Sequence, residues 1–259
     1  MKPLYKFKNY EYTTSDLFFD RPCQVMGVTL YPIKAKEYEE FLKYAKYLIF
    51  SKKHLGIDKM QDVDLLNALI VMLSSSKQGA NLENEMLTTL LELCTLFTML
   101  TRKEIMYYIV NDGYEFRDEE GSIKINKDNF NRIRTTVLKM TLLTEPKIYE
   151  REIDRKWDEK AKIAHSKNSP SLEFGEIVLV VSQDMKFTIE QTLELNIFQL
   201  NSYYMRAMHV YESETTRLFA TVSSDCKPTP FAKNVFSELY KDHSEDYVIK
   251  DKGFTKFLE

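Results

Sequence analysis

Thr188–Ser223 reads TIEQTLELNIFQLNSYYMRAMHVYESETTRLFATVS, and this run makes the chain mainly helical. Thr188 with Gln191, and Asn196 with Gln199, have the spacing of a capping box. In such a box the N-cap oxygen and the Gln amide each satisfy one orphan backbone group at a helix start. The spacing therefore predicts two consecutive helix starts. Beyond the second, Ile197, Leu200, Tyr204, Ala207, Met208, Tyr211, Thr215, Leu218 and Val222 recur at steps of three and four. That is one apolar stripe along a long helix, and a stripe of that length needs a surface to cover it. Which face of helix 196–223 stays open is not legible at this level.

Upstream, PCQVMGVTLYPI (22–33) reads as a short strand pair around Gly27. KAKEYEEFLKYAKYLIFSKKHL has helical spacing through Tyr38, Phe41, Leu42, Ala45, Leu48 and Ile49, with Gly56 as its stop. Asp62 is the expected cap of VDLLNALIVMLSSS, and Asn81 or Asn84 that of EMLTTLLELCTLFTML. EIMYYIVNDGYEFRDEEGSIKI then switches to β-prone runs broken at Asn111-Asp112-Gly113 and Glu120-Gly121, a small meander. Phe130, Ile133, Val137, Met140 and Leu143 share a helix face that Pro146 is expected to end. A lobe boundary is placed there, giving an N-terminal α+β lobe over 1–145 and a helical C-terminal lobe over 146–259. In the second, REIDRKWDEKAKIAHSK reads as a solvated helix with Ile153, Trp157 and Ala161 inward. LEFGEIVLVVSQDM follows as a buried helix or strand, and PFAKNVFSELYKDH as the last helix.

Bulk properties narrow the function classes. The 259 residues carry a net charge of −3 with both signs interspersed, so no global field gathers nucleic acid or an anionic membrane. Sixteen Tyr and sixteen Phe against seven Gly and seven Pro favour packed elements. Cys23, Cys94 and Cys226 are odd in number and widely spaced, which fits a reducing compartment. No stretch approaches the roughly 18 apolar residues that would cross a bilayer, so no membrane partner is expected.

Catalytic and cofactor motifs do not assemble. The seven glycines are dispersed, so neither a phosphate loop nor a dinucleotide turn forms. His209 and Cys226 are the pair most open to meeting as metal ligands, without ligand spacing to support it. Asp58, Asp62 and Asp64 read as a helix-start cluster, and Asp118-Glu119-Glu120 as solvated turn carboxylates. The expectation is a non-enzymatic protein with no catalytic residues, cofactor or metal. Two features remain as binding surfaces. Lys52, Lys53, His54 and Lys59 form a basic spot that would suit phosphates only as part of a larger stripe. On the long helix, Tyr203, Tyr204, Met205, Met208 and Tyr211 combine rigid aromatics and adaptable Met, residue types enriched at protein interfaces, and the same stripe would serve equally as the core of its own fold.

Taken together, NRIRTTVLKMTLL, EPKIYE, the charged helix around Trp157, LEFGEIVLVV and the Tyr/Gln-rich helix from Asn196 resemble a family of tail-assembly and morphogenesis proteins of tailed phages of Gram-positive bacteria. The resemblance is of order and spacing; it implies a chaperone-like protein of the host cytoplasm, and it adds Phe198, Gln199 and Arg206 of the Tyr/Gln-rich helix to the expected partner surface. Its partners would be other tail proteins, tape-measure or tail-tube subunits, and self-association stays open. A minor virion component, or a nucleic-acid-binding phage protein of replication or regulation, are the alternatives.

Overall fold

The computed structural model of the protein describes residues 13–60, 63–75, 82–149, 151–168, 172–223, 225–231 and 234–240. Among these residues the architecture is mainly α, with small β elements. In chain order the helices are α1 (Thr14–Phe18), α2 (Tyr38–Tyr44), α3 (Lys46–Ile49), α4 (Leu65–Ser75), α5 (Leu82–Thr101), α6 (Phe130–Met140), α7 (Glu152–Asn168), α8 (Phe174–Met185), α9 (Ile189–Leu193), α10 (Ile197–Ala220) and α11 (Val235–Leu239). Strands β1 (Cys23–Val25) and β2 (Val28–Leu30) pair as a hairpin. Strands β3 (Met106–Val110), β4 (Gly113–Arg117) and β5 (Lys124–Ile125) form an antiparallel meander in that order.

Turn chemistry explains both hairpins. Val25 pairs with Val28, leaving Met26 and Gly27 at positive φ (52° and 83°), the two-residue geometry that matches strand twist. At the second, Val110 pairs with Gly113, whose φ is +123°. A Cβ on Gly113 would meet the Asn67 amide at 2.1 Å, so only glycine fits. That amide holds the turn to α4: Asn67 Nδ2 donates to the Asp112 carbonyl at 3.1 Å, and Asn67 Oδ1 accepts from Tyr114 N at 3.2 Å.

Helix α5 packs against α2, α4, β2 and β3. Its Phe97 meets Phe116 and Phe130 edge-on, with ring centroids 5.0 Å and 6.3 Å apart, an arrangement that adds to the burial of each ring. One buried apolar cluster runs from Leu17 through Phe41, Leu69, Phe97 and Phe130 to Val181 and Leu200, drawing residues from both sides of Pro146. Within this apolar interior lies Arg134 of α6, 2 % exposed. Its Nη1 donates to the Leu48 carbonyl at 2.7 Å, and its Nη2 pairs with Glu145.

Several local expectations shift. The helix expected to run to Gly56 ends at Ile49, because Phe50 turns extended, and Gly56 instead closes a separate turn from Lys53. Asp64 is the residue that caps α4, accepting from Asn67 N at 2.9 Å, while Asp62 and Asn81 lie outside the described residues and Asn84 sits inside α5. Helix α6 stops through a left-handed Leu142 (φ 57°), ahead of Pro146. Segment 172–185 resolves to helix α8, and α11 is only five residues long. The rest of the expected last helix, from residue 241, lies outside the described residues. Asp118 is buried, and not a solvated turn carboxylate. It accepts from Ser122 Oγ and from Ile123 N at 2.7 Å and pairs with Lys103 at 3.1 Å, contacts that pull its carboxyl down to about 2.

Candidate functional site

The long helix α10 is held at its start and open at its end. Both capping boxes form: Thr188 Oγ1 accepts from Gln191 N at 3.2 Å, and Asn196 Oδ1 from Gln199 N at 2.8 Å. Asn196 is fully buried and does more than cap. Its Nδ2 donates to the Leu17 carbonyl at 2.9 Å and to Asp20 Oδ1 at 2.8 Å, while Gln199 Nε2 donates to the Phe18 carbonyl at 2.7 Å. Main-chain bonds from Ala35 N to Leu195 O at 2.8 Å and from Ile197 N to Ile33 O at 3.1 Å complete the joint. One asparagine thus serves the helix start, α1 and the Asp20 carboxylate. Asn196→Ala should lower stability by about 2–4 kcal/mol, a lost cap plus a buried carbonyl left unpaired. The midpoint of urea unfolding measures it, and a loss under about 1 kcal/mol would mean that water replaces these bonds.

Most of the residues expected to bind a partner pack inward. Phe198 is buried, with its ring 5.4 Å from Phe236 and 6.0 Å from Tyr240. Gln199 is spent on the cap and on α1. Tyr203 sits 5.8 Å from the Phe18 ring and 6.3 Å from Phe187, and Tyr204 and Met208 are half-buried. Arg206 and Tyr211 lie on the open surface: Arg206 Nη1 donates to the Phe231 carbonyl at 3.3 Å, and Tyr211 Oη to Asp184 Oδ1 at 3.2 Å.

Past Tyr211 the stripe continues with nothing of the described fold upon it. Tyr211 is 45 % exposed, Leu218 71 % and Val222 82 %, and Phe219 beside them is 58 % exposed. Tyr211 and Leu218, seven residues apart, share one face of α10, and Val222 follows in the turn just beyond its end at Ala220. The opposite side is occupied by the returning chain. Ser213 Oγ donates to the Thr229 carbonyl at 3.0 Å, Thr229 N to Thr216 Oγ1 at 2.9 Å, and Cys226 Sγ faces the Thr216 carbonyl at 3.6 Å. Cys226 therefore does not meet His209, which lies buried with Nε2 2.6 Å from Glu238 Oε2 and Nδ1 3.6 Å from Glu212 Oε2. Among the described residues no cluster of three or more His, Cys, Asp or Glu has metal-site geometry.

The other expected surfaces fall as follows. At the basic spot, His54 turns inward: its Nδ1 lies 2.7 Å from Ser51 Oγ and its Nε2 2.7 Å from the Pro146 carbonyl, leaving the lysines without it. On α7 the face expected inward is outward, with Ile153 and Trp157 exposed, the latter 66 %, and Ala161 outside the described side chains. On the same helix Arg155 pairs with Glu152 at 2.6 Å. Among the described residues no helix is long and apolar enough to cross a membrane.

The fold and surface together define a mainly helical α+β protein that carries a long, one-end-anchored helix with an open apolar end. In sequence it is similar to the SPbeta prophage-derived uncharacterized protein YomV of Bacillus subtilis (strain 168), 32 % identical over 157 residues. The match spans 57 % of this chain and 65 % of that relative's length. No family model matches the chain, and no solved structure does.

Proposed function

We propose that this is a phage protein of tail morphogenesis that binds other tail proteins during assembly and performs no catalysis. The observation that carries the reading is the stripe of Tyr211 and Leu218, with Phe219 beside it and Val222 just past the helix end, which no described residue covers, on a helix fixed at its other end. Similarity to a prophage-derived protein supports a phage origin, and the resemblance in segment order to tail-assembly proteins is what points to the tail. A contiguous exposed apolar face marks an interaction site. Its physics suits a reversible helix-in-groove contact, in which the stripe covers apolar surface on a tape-measure or tail-tube subunit in the host cytoplasm. Once assembly buries that client surface, the contact has nothing to hold and the protein leaves.

The test is affinity capture of the tagged chain from nuclease-treated, phage-infected cells, with mass spectrometry of bound proteins and of finished virions. Tape-measure or tail-tube proteins in the capture, with no bait in virions, are the expected result; bait in virions makes it a structural part, and recovery of replication proteins alone ends the assembly reading. Leu218→Asp with Val222→Asp should abolish the capture while leaving stability within about 0.5 kcal/mol per site, since neither side chain is packed. If the doubly changed protein still captures tail proteins at the wild-type level, the stripe is not the surface.

A further inference from the structure

The open end of α10 has the charge pattern of a self-complementary surface. Each helical residue turns the chain by about 100°, so Glu214 and Arg217 fall on one flank of the Tyr211–Leu218 face and Phe219 on the other. Glu214, Thr215 and Arg217 are exposed. Among the described residues the side chains of Glu214 and Arg217 make no hydrogen bond or ion pair. One unspent charge of each sign therefore stands beside an apolar stripe that no described residue covers.

Opposite charges three residues apart on one flank complement the same pair on an antiparallel copy. A two-fold axis across two such helices keeps each flank beside the same flank of the second copy. With the axis between Thr215 and Thr216, Glu214 comes level with Arg217 of the second copy, and Arg217 with its Glu214. A parallel pair would instead set Glu214 against Glu214 and Arg217 against Arg217. The same axis interleaves the apolar side chains. At a rise of 1.5 Å per residue, Tyr211 stands about 7 Å to one side of the axis and Thr215 about 1 Å, and Leu218 of the second copy, at about 4 Å, enters between them. Glu212, on the far flank, accepts from Thr229 Oγ1 at 3.2 Å. It lies about 10 Å along the axis from Glu212 of the second copy, so the two do not meet.

We propose that α10 pairs antiparallel with α10 of a second copy over 211–220, and that this pair is the stored form of the stripe. It uses a few side chains per copy, against about 20–30 residues a side in a standard interface, so the pair is weak and exchanges readily. A tail-protein client then takes the place of the second copy. That displacement rests on the tail-assembly reading, whereas the pairing rests only on the stripe and its flanking charges.

Sedimentation velocity of the purified full chain across the micromolar range tests the pairing. A reversible monomer–dimer equilibrium is expected for the wild type, and Leu218→Asp should weaken it at least tenfold. Glu214→Arg and Arg217→Glu each set like charges together twice, so either should weaken it at least fivefold. An equimolar mixture of those two variants restores both ion pairs and should dimerise at least as tightly as the wild type, a result that misfolding of either variant cannot give. A wild type that is monomeric at every concentration, charge variants that dimerise as the wild type does, or a mixture no tighter than either variant alone overturns the pairing. Capture from infected cells reads the displacement separately: Arg217→Glu should retain tail proteins at least at the wild-type level. Loss of tail proteins together with the dimer overturns the displacement. A dimer that forms while no version of the chain captures tail proteins ends the tail-assembly reading and leaves the pairing standing.

Discussion

Arg134→Ala should lower the unfolding free energy by about 3–5 kcal/mol. The side chain is almost fully buried among apolar residues, so its removal leaves a void and strips the Leu48 carbonyl of its donor. Glu145, the other partner, is partly exposed and can rehydrate, so the damage concentrates at the carbonyl and the void. For a chain of this size such a loss lowers the melting temperature by roughly 6–20 °C. Scanning calorimetry reads it, and a shift below about 2 °C would show that water enters and replaces the guanidinium. A pH profile separates the electrostatic part. Burial raises the Glu145 carboxyl, but the hydrogen bond and charge of Arg134, with Ser51 and His54, outweigh burial and hold it below its usual value. A depressed carboxyl contributes stability above its unfolded pKa of about 4.3 and loses that contribution as pH falls through the lower folded value. The wild type should therefore shed more stability than Arg134→Ala on going from about pH 6 to pH 3.

Phe198→Ala should cost about 3–5 kcal/mol, and its consequence is local as well as global. The ring is the surface on which Phe236 and Tyr240 pack, and those two residues, with Val235, fix α11. Helix α11 has only five residues and cannot hold itself without that contact. Hydrogen exchange at 235–239 should rise toward unprotected rates well below the melting temperature, while amides of α5 keep their protection. Unchanged exchange at α11 would mean that the His209–Glu238 pair suffices to dock it. The same variant bears on the partner surface. Folded Phe198→Ala at low temperature should still capture tail proteins, because the ring faces the core; selective loss of capture by a folded variant would place Phe198 at the interface after all.

Much of the local structure was legible because its signals are short-range. A capping box needs only residues three apart, and both boxes in 188–199 form. The two hairpins follow from Gly27 and from Asn111-Asp112-Gly113, where loop length and positive φ are local constraints. The α6 face of Phe130, Ile133, Val137 and Met140 is buried as its period implies. Trp157 shows the limit: α7 has an apolar side by sequence, and the described fold sets nothing large against it. Arg134 and Asp118 show another. A charged residue reads as surface by composition, yet each is buried with partners drawn from residues 3 to 86 positions away.

The candidate surface divides along the same line. Periodicity determined that Ile197 through Leu218 form one stripe on one helix, which ends at Ala220, short of the Val222 that the spacing had included, and capping chemistry determined where that helix begins. Only the tertiary structure decided that the first half of the stripe is core and the second half open, so that Ile197, Leu200 and Ala207 are buried while Tyr211 and Leu218 face outward. The reason is physical: a helical period specifies which side chains share a face, whereas burial depends on what the rest of the chain brings against that face. Here the joint at Asn196 and the packing of α1, α8 and α11 use the first part of a helix about 36 Å long, and at its far end the described residues cover only the side that Thr229 and Cys226 reach.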